Sequence, residues 1–238
     1  MYVFDANCHT VTVSPKDYPK RKDWREEGAV NPVVYQGICS VWPFPSLDNM
    51  EGVYKVAHGE LPRLSSQQLI DCDHDCTIYQ GIKRCNDGCT TGLTPNAMSY
   101  AVREGMTTED EYPSSPSAGT CKYSHTGKVY KFKSYYQVNG TEEKMVAALN
   151  DVGPITAGVD ATQWQFYSGG VFNTQCGTTM NHLVAVVGYD SVTSGGKELQ
   201  YWIIKNSWGQ EWGEKGYIRL ARGMNECQVN DYVFTIVA

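Results

Sequence analysis

The chain has 238 residues, 41% hydrophobic and 19% charged, with a formal net charge of -6 at pH 7. This balance fits a globular protein with room for one large domain or two small ones, and argues against disorder. Lys and Arg are scattered, so a nucleic-acid partner, which needs a concentrated basic face, is not expected. No apolar run reaches about 18 residues, so no membrane-spanning helix is expected either.

Residues 1–22 are polar, carry Pro15 and Pro19, and are expected to form an extended N-terminal arm. Apolar residues recur at Leu47, Met50, Val53, Tyr54 and Ala57, and this spacing predicts an amphipathic helix from Pro45 to His58, closed by Gly59. Shorter helices are expected over Ser65–Asp71 and Thr94–Glu104, the latter capped by Thr94 with Pro95 in its first turn. Thr141 is placed to cap a fourth helix, Glu142–Asn150, with acidic residues in its first turn. Four β-like runs follow at Ile155–Asp160, His182–Tyr189, Tyr201–Lys205 and Tyr217–Leu220. A helix-rich half followed by a sheet-rich half predicts an α+β protein with a cleft between lobes.

Nine cysteines are many for a reducing compartment, so disulfides and an extracellular or lysosomal/vesicular location are expected. The opening Met1-Tyr2-Val3-Phe4-Asp5 lacks the basic and apolar regions of a signal peptide, as expected of a mature or truncated form. Asn139-Gly140-Thr141 is a glycosylation sequon compatible with that route. Cys72, Cys76, Cys85 and Cys89 form two C-x3-C pairs around His74, a spacing able to ligate zinc. Asp71, Asp73 and Asp75 alternate like a calcium loop, but Cys76 stands where such a loop needs glycine. No metal or cofactor is expected.

Five motifs then line up in order: Asp23-Trp24-Arg25 with Gly28-Ala29-Val30; Gln36-Gly37-Ile38-Cys39; Ser65, Gln67, Leu69, Asp71 and Cys72; Gly88-Cys89 with Gly92; and Asn181-His182 with Asn206-Ser207-Trp208-Gly209 and Trp212-Gly213. In this order the chain resembles the papain-like cysteine peptidases of the cathepsin L type over roughly residues 20–238. The resemblance implies a two-lobe fold, with a mainly helical left lobe (23–130) and a mainly β, barrel-like right lobe (131–238). The termini would cross between lobes, and substrate would lie in the cleft between them.

By the same resemblance His182 is the general acid/base and Asn206 orients it. Gln36 donates to the oxyanion, and Trp208 shields the His182–Asn206 hydrogen bond from water. The family reads Cys-Gly-Ser-Cys-Trp around its nucleophile, whereas this chain reads Cys39-Ser40-Val41-Trp42. Aligned on the tryptophan, one residue is missing and Val41, which has no nucleophilic atom, fills the nucleophile's place. Loss of peptidase activity is therefore expected. The alternatives are an active endopeptidase using Cys39 or Ser40, and a secreted storage or structural protein.

The resemblance pairs Cys39 with Cys89, Cys72 with Cys121, and Cys176 with Cys227. Cys76 and Cys85, which flank an insertion, could close it as a local bridge, leaving Cys8 over. It also assigns the substrate-binding positions Gly92, Leu93, Gly158, Met180, Leu183, Trp208 and Tyr232, whose bulk predicts a shallow, apolar pocket. The expected partners are peptides or proteins held in the cleft, including cysteine-peptidase inhibitors, with the chain itself a monomer.

Overall fold

The computed structural model describes residues 16–37, 39, 42–138 and 140–238 in full, and residues 8–10 by their backbone. The first helix, α1 (Pro43–His58), starts two residues before the expected Pro45, because proline is harmless in a first turn that lacks hydrogen-bond acceptors for its N–H groups. It buries Leu47, Met50 and Val53, and Gly59 ends it at φ +79° with its N–H on the Lys55 carbonyl at 2.8 Å. In α2 (Ser66–Cys72) the Ser65 hydroxyl accepts the Gln68 N–H at 3.0 Å, a side-chain cap.

Two caps differ from expectation. In α3 (Thr94–Glu104) Leu93 holds the cap position and Thr94 is the first helical residue, its hydroxyl buried without a partner among the described residues. Thr141 does precede α4 (Glu142–Asp151), but its side chain makes no cap bond to the backbone. The first-turn acid Glu142 instead turns away to accept the N–H groups of Gly223 and Asn225.

The strands are β1 (Cys8–Thr10), β2 (Lys22–Asp23), β3 (Cys76–Tyr79), β4 (Ile82–Cys85), β5 (Ser134–Gln137), β6 (Ile155–Val159), β7 (Val171–Phe172), β8 (His182–Ser194), β9 (Lys197–Lys205), β10 (Tyr217–Ala221) and β11 (Val233–Val237). Nine of them form one sheet in the order β1-β5-β11-β6-β8-β9-β10-β7, with β2 paired to β8. Strands β8 and β9 run past their expected ends into a hairpin whose turn, Gly195-Gly196, takes two positive φ angles.

The insertion between Cys76 and Cys85 forms a separate hairpin, β3–β4, turning at Gln80-Gly81 with both residues at positive φ. It went unforeseen because no period-2 apolar pattern marks it: five of its eight strand positions are charged, polar or cysteine.

Two cores result. One packs α4 and the inner faces of β6, β8, β9 and β10 around Trp164 and Trp202, and takes in Trp24 and Ala29 from the N-terminal segment. The other gathers α1, α2 and α3 around Met50, Leu69 and Met98, and takes in Phe234, Ile236 and Ala238 from the end of the chain. The segment around Trp24 thus packs on the first core and the C-terminal strand reaches the second. Between them, the Lys205 ammonium at the end of β9 meets Asp48 of α1 at 2.5 Å, with the lysine side chain 2% exposed.

Candidate active site

His182 opens β8, held in register by pairing with Val159 of β6. The preceding residue is braced from below: Asn181 donates its N–H to the Val159 carbonyl at 3.0 Å, and its side-chain oxygen accepts the Ala161 N–H at 2.9 Å. Asn206 follows directly on β9 and donates its N–H to the Gly216 carbonyl at 3.0 Å. The two strand ends therefore bring His182 Nε2 within 2.8 Å of Asn206 Oδ1.

That oxygen also accepts the Ser207 N–H at 2.8 Å, while Asn206 Nδ2 is buried with no partner among the described residues. The Oδ1 contacts fix which way the amide points, so the imidazole donates from Nε2 and its other nitrogen is left as the acceptor. Burial pushes the His182 pKa below its usual value, and the bond to Asn206 opposes this only in part.

Trp208 lies against the imidazole, with ring centroids 4.9 Å apart, and packs edge-on against Trp212 at 5.0 Å. Trp212 in turn stacks near Trp164 and donates its indole N–H to the Trp164 carbonyl at 3.2 Å. Gln36 reaches the same end of the cleft because its N–H binds the Ser207 carbonyl at 2.8 Å and Tyr35 bridges Trp208. The Ser207 hydroxyl donates to Gln36 Oε1 at 2.6 Å, which makes Nε2 the donor end of that amide. Sequence reasoning missed Ser207, Asn181 and Trp212 as braces, although all three stand inside the motifs quoted above.

Across the cleft, Trp42 precedes α1 and donates its indole N–H to the Gly88 carbonyl at 2.9 Å. Gly92 lies flat on the Trp42 ring: a Cβ there would fall 2.1 Å from Cδ2, so only glycine fits. Gly92, Leu93, Met180 and Leu183, with Trp42 and His182, line a cleft of about 320 Å³. Gly158 and Tyr232 stand differently from the expectation. A Cβ on Gly158 would meet Met180 Sδ at 2.2 Å and Tyr232 at 3.0 Å, so the methionine fills the space above them. Tyr232 is 2% exposed and packs edge-on against Tyr79 and Phe234.

The structure joins Cys39 to Cys89, Cys72 to Cys121, Cys76 to Cys85, and Cys176 to Cys227. This removes the zinc reading, since Cys72, Cys76, Cys85 and Cys89 are all spent in disulfides. It also denies Cys39 a free thiol. Ser40, Val41 and Asn139, and the side chain of Cys8, lie outside the described residues.

A histidine held by an asparagine at the edge of a two-lobed cleft, beside a tryptophan and a glutamine donor, is the architecture of the papain-type peptidases. The chain belongs to that family: the family model described as papain family cysteine protease matches residues 18–237. It is 41% identical to cysteine proteinase 1 of Dictyostelium discoideum over 224 residues, 92% of this chain and 65% of that protein. It is 40% identical to the probable cysteine protease RD19C of Arabidopsis thaliana over 242 residues, 98% of this chain and 65% of that one. The chain thus spans just under two thirds of the length of these curated relatives. Among solved structures it resembles bromelain of Ananas comosus bound to the E64 inhibitor, with TM-score 0.81 and 36% identity over 92% of this chain and 99% of that one. It also resembles digestive procathepsin L 3 of the Tenebrio molitor larval midgut, with TM-score 0.85 and 34% identity over 99% of this chain and 75% of that one.

Proposed function

We propose that the chain is a papain-family protein without peptidase activity, which keeps the cleft and uses it to bind extended peptides or peptide-like inhibitors. The observation that carries this reading is the stretch Cys39-Ser40-Val41-Trp42, which puts valine where the family has its reactive cysteine. The acyl-enzyme route needs a thiolate, and valine cannot supply one. The neighbouring Cys39 is 6% exposed and bonded to Cys89, which argues against a substitute nucleophile.

The remaining groups keep their inherited roles in this reading. His182 and Asn206 would serve as a polar wall, and Gln36 as a donor to a bound carbonyl. Gly92 and Leu93 would form the edge on which a peptide backbone pairs, with Met180 and Leu183 beneath its side chains. Four disulfides support an oxidising, extracellular or vesicular location.

The test pairs two assays on the purified, unreduced protein: turnover of a fluorogenic peptide, and anisotropy of a fluorescein-labelled hexapeptide with leucine at its second and third positions. Saturable binding without turnover is expected. Turnover abolished by His182→Ala would replace this reading with an active peptidase, and absence of both signals would favour a storage or structural protein.

A further inference from the structure

The cleft edge at Gly92–Leu93 is fixed from behind by a buried polar chain that lies outside the motifs quoted above. Asn86 directly follows the β3–β4 hairpin and is 2% exposed; Asp73, on the approach to that hairpin, is fully buried. Asn86 Nδ2 donates to Asp73 Oδ2 at 2.5 Å, and the other Asp73 oxygen accepts the Asp75 N–H at 2.9 Å. Asn86 Oδ1 accepts the Leu93 N–H at 2.7 Å and the Asn96 side-chain amide at 3.1 Å. The Asn86 N–H closes the base of the hairpin on the Asp75 carbonyl at 2.9 Å. Every contact agrees on one orientation of the Asn86 amide, with its NH2 on the Asp73 carboxylate and its oxygen on the Leu93 and Asn96 N–H groups.

Resting on the peptide-binding reading of the cleft, we propose that Asp73 and Asn86 are its positioning residues: ionised Asp73 orients the Asn86 amide, which holds Leu93 N–H and keeps the Gly92 edge set for an extended peptide.

Protonation of Asp73 weakens this chain. Both carboxylate oxygens accept from N–H donors, and protonation weakens both charge-assisted bonds. Neutral Asp73 grips the Asn86 NH2 less tightly, which loosens the amide that holds the Leu93 N–H. The change falls in an accessible range, because burial pushes Asp73 up to about 7 against the opposing bonds from Asp75 N–H and Asn86. Asp75 adds a like charge and Arg103 of α3 an opposite one, while Tyr100 of α3 also lies within its field. The adjacent His74 and the hairpin's Arg84 are exposed. Ionised Asp73 is the form that holds the edge, so the edge is set above pH 7 and released as the pH falls through it.

The test follows the Leu93 amide in ¹⁵N-labelled protein between pH 5 and 8.5, together with anisotropy of the labelled hexapeptide. In the wild type the Leu93 resonance should move with a midpoint near 7. Peptide affinity should fall roughly three- to tenfold from pH 8 to 5.5, the worth of about one hydrogen bond. In Asp73→Asn both should become independent of pH. A Leu93 amide indifferent to pH in this range would overturn the proposal, and the wild-type titration alone decides the matter even if the variant fails to fold. If Leu93 follows Asp73 but the hexapeptide binds at no pH, the peptide-binding reading fails while the Asp73–Asn86–Leu93 linkage stands.

Discussion

Replacing Lys205 with methionine probes the contact that ties the two cores together. The ammonium is 2% exposed and sits 2.5 Å from Asp48, whose side chain is 15% exposed. Burial pulls the lysine pKa down, but the Asp48 charge more than reverses this, so Lys205 is charged in the folded protein. Glu51 completes the group. Its two oxygens accept the Leu64 N–H at 2.8 Å and the Asn31 amide at 2.8 Å, and burial followed by the nearby Asp48 charge pushes it up to about 8. The Glu51 carboxylate feels the same ammonium through space, and Asp48 too is raised by its burial.

Methionine matches the volume and removes the charge, leaving Asp48 unpaired. Breaking a buried pair in this way destabilises by about 3–5 kcal/mol. For a chain of this size that corresponds to a loss of roughly 6–20 °C in Tm, at about 2–4 °C per kcal/mol. The sign with pH follows from linkage. Glu51, at about 8, sits above its unfolded value and Asp48 shifts in the same direction, so the folded state retains protons that the unfolded chain loses, and the stability this gives declines as pH rises through the Glu51 value. In the variant the ammonium no longer favours the charged forms, so both acids hold their protons more tightly and can neutralise at pH 5, while their ionisation with rising pH leaves a charge unpaired. Scanning calorimetry should therefore show the full Tm loss at pH 8 and a much smaller one at pH 5. A loss under about 3 °C at pH 8, or equal losses at both values, would refute the assignment of a shared buried charge.

Three further outcomes follow from the site. Asn206→Ala removes the one contact that raises His182, so the imidazole pKa should drop further below its usual value, read by the pH dependence of its ring carbon signals; an unchanged or higher value would contradict the geometry. Met180→Ala should open the space above Gly158 and tighten binding of hexapeptides with a larger apolar side chain several-fold, whereas unchanged selectivity would mean the methionine does not fill a ligand pocket. Val41→Cys should restore a thiol that E-64 labels, though with a rate reduced by the missing residue, since a displacement of about 1 Å can slow reaction on the order of a hundredfold. Absence of any adduct on that cysteine would mean that more than the nucleophile has been lost.

Much of this architecture is legible in the sequence where apolar periodicity and special backbone residues coincide. The helix around Leu47, Met50 and Val53 could be read because its stripe ends at a glycine that takes a positive φ. The ends of β8 and β9 could not, because Ser191, Thr193 and Glu198 carry the ladder out into solvent, where no apolar alternation is needed. Thr94 is a reasonable cap by residue type, yet the Asn86 side chain takes the Leu93 N–H and Leu93 holds the cap position. His182, Asn206 and Gln36 are singled out by motifs, not by periodicity, and the structure brings His182 and Asn206 together. The space above Gly158 is filled by where Met180 folds, 22 residues further along, which no local pattern encodes.

The central claim, that no nucleophile remains, is tested most directly by incubating the unreduced wild-type protein with E-64 and measuring its intact mass. An unchanged mass is the predicted result. A single stoichiometric adduct, mapped to any residue between Cys39 and Trp42, would show a rebuilt active site and contradict the claim.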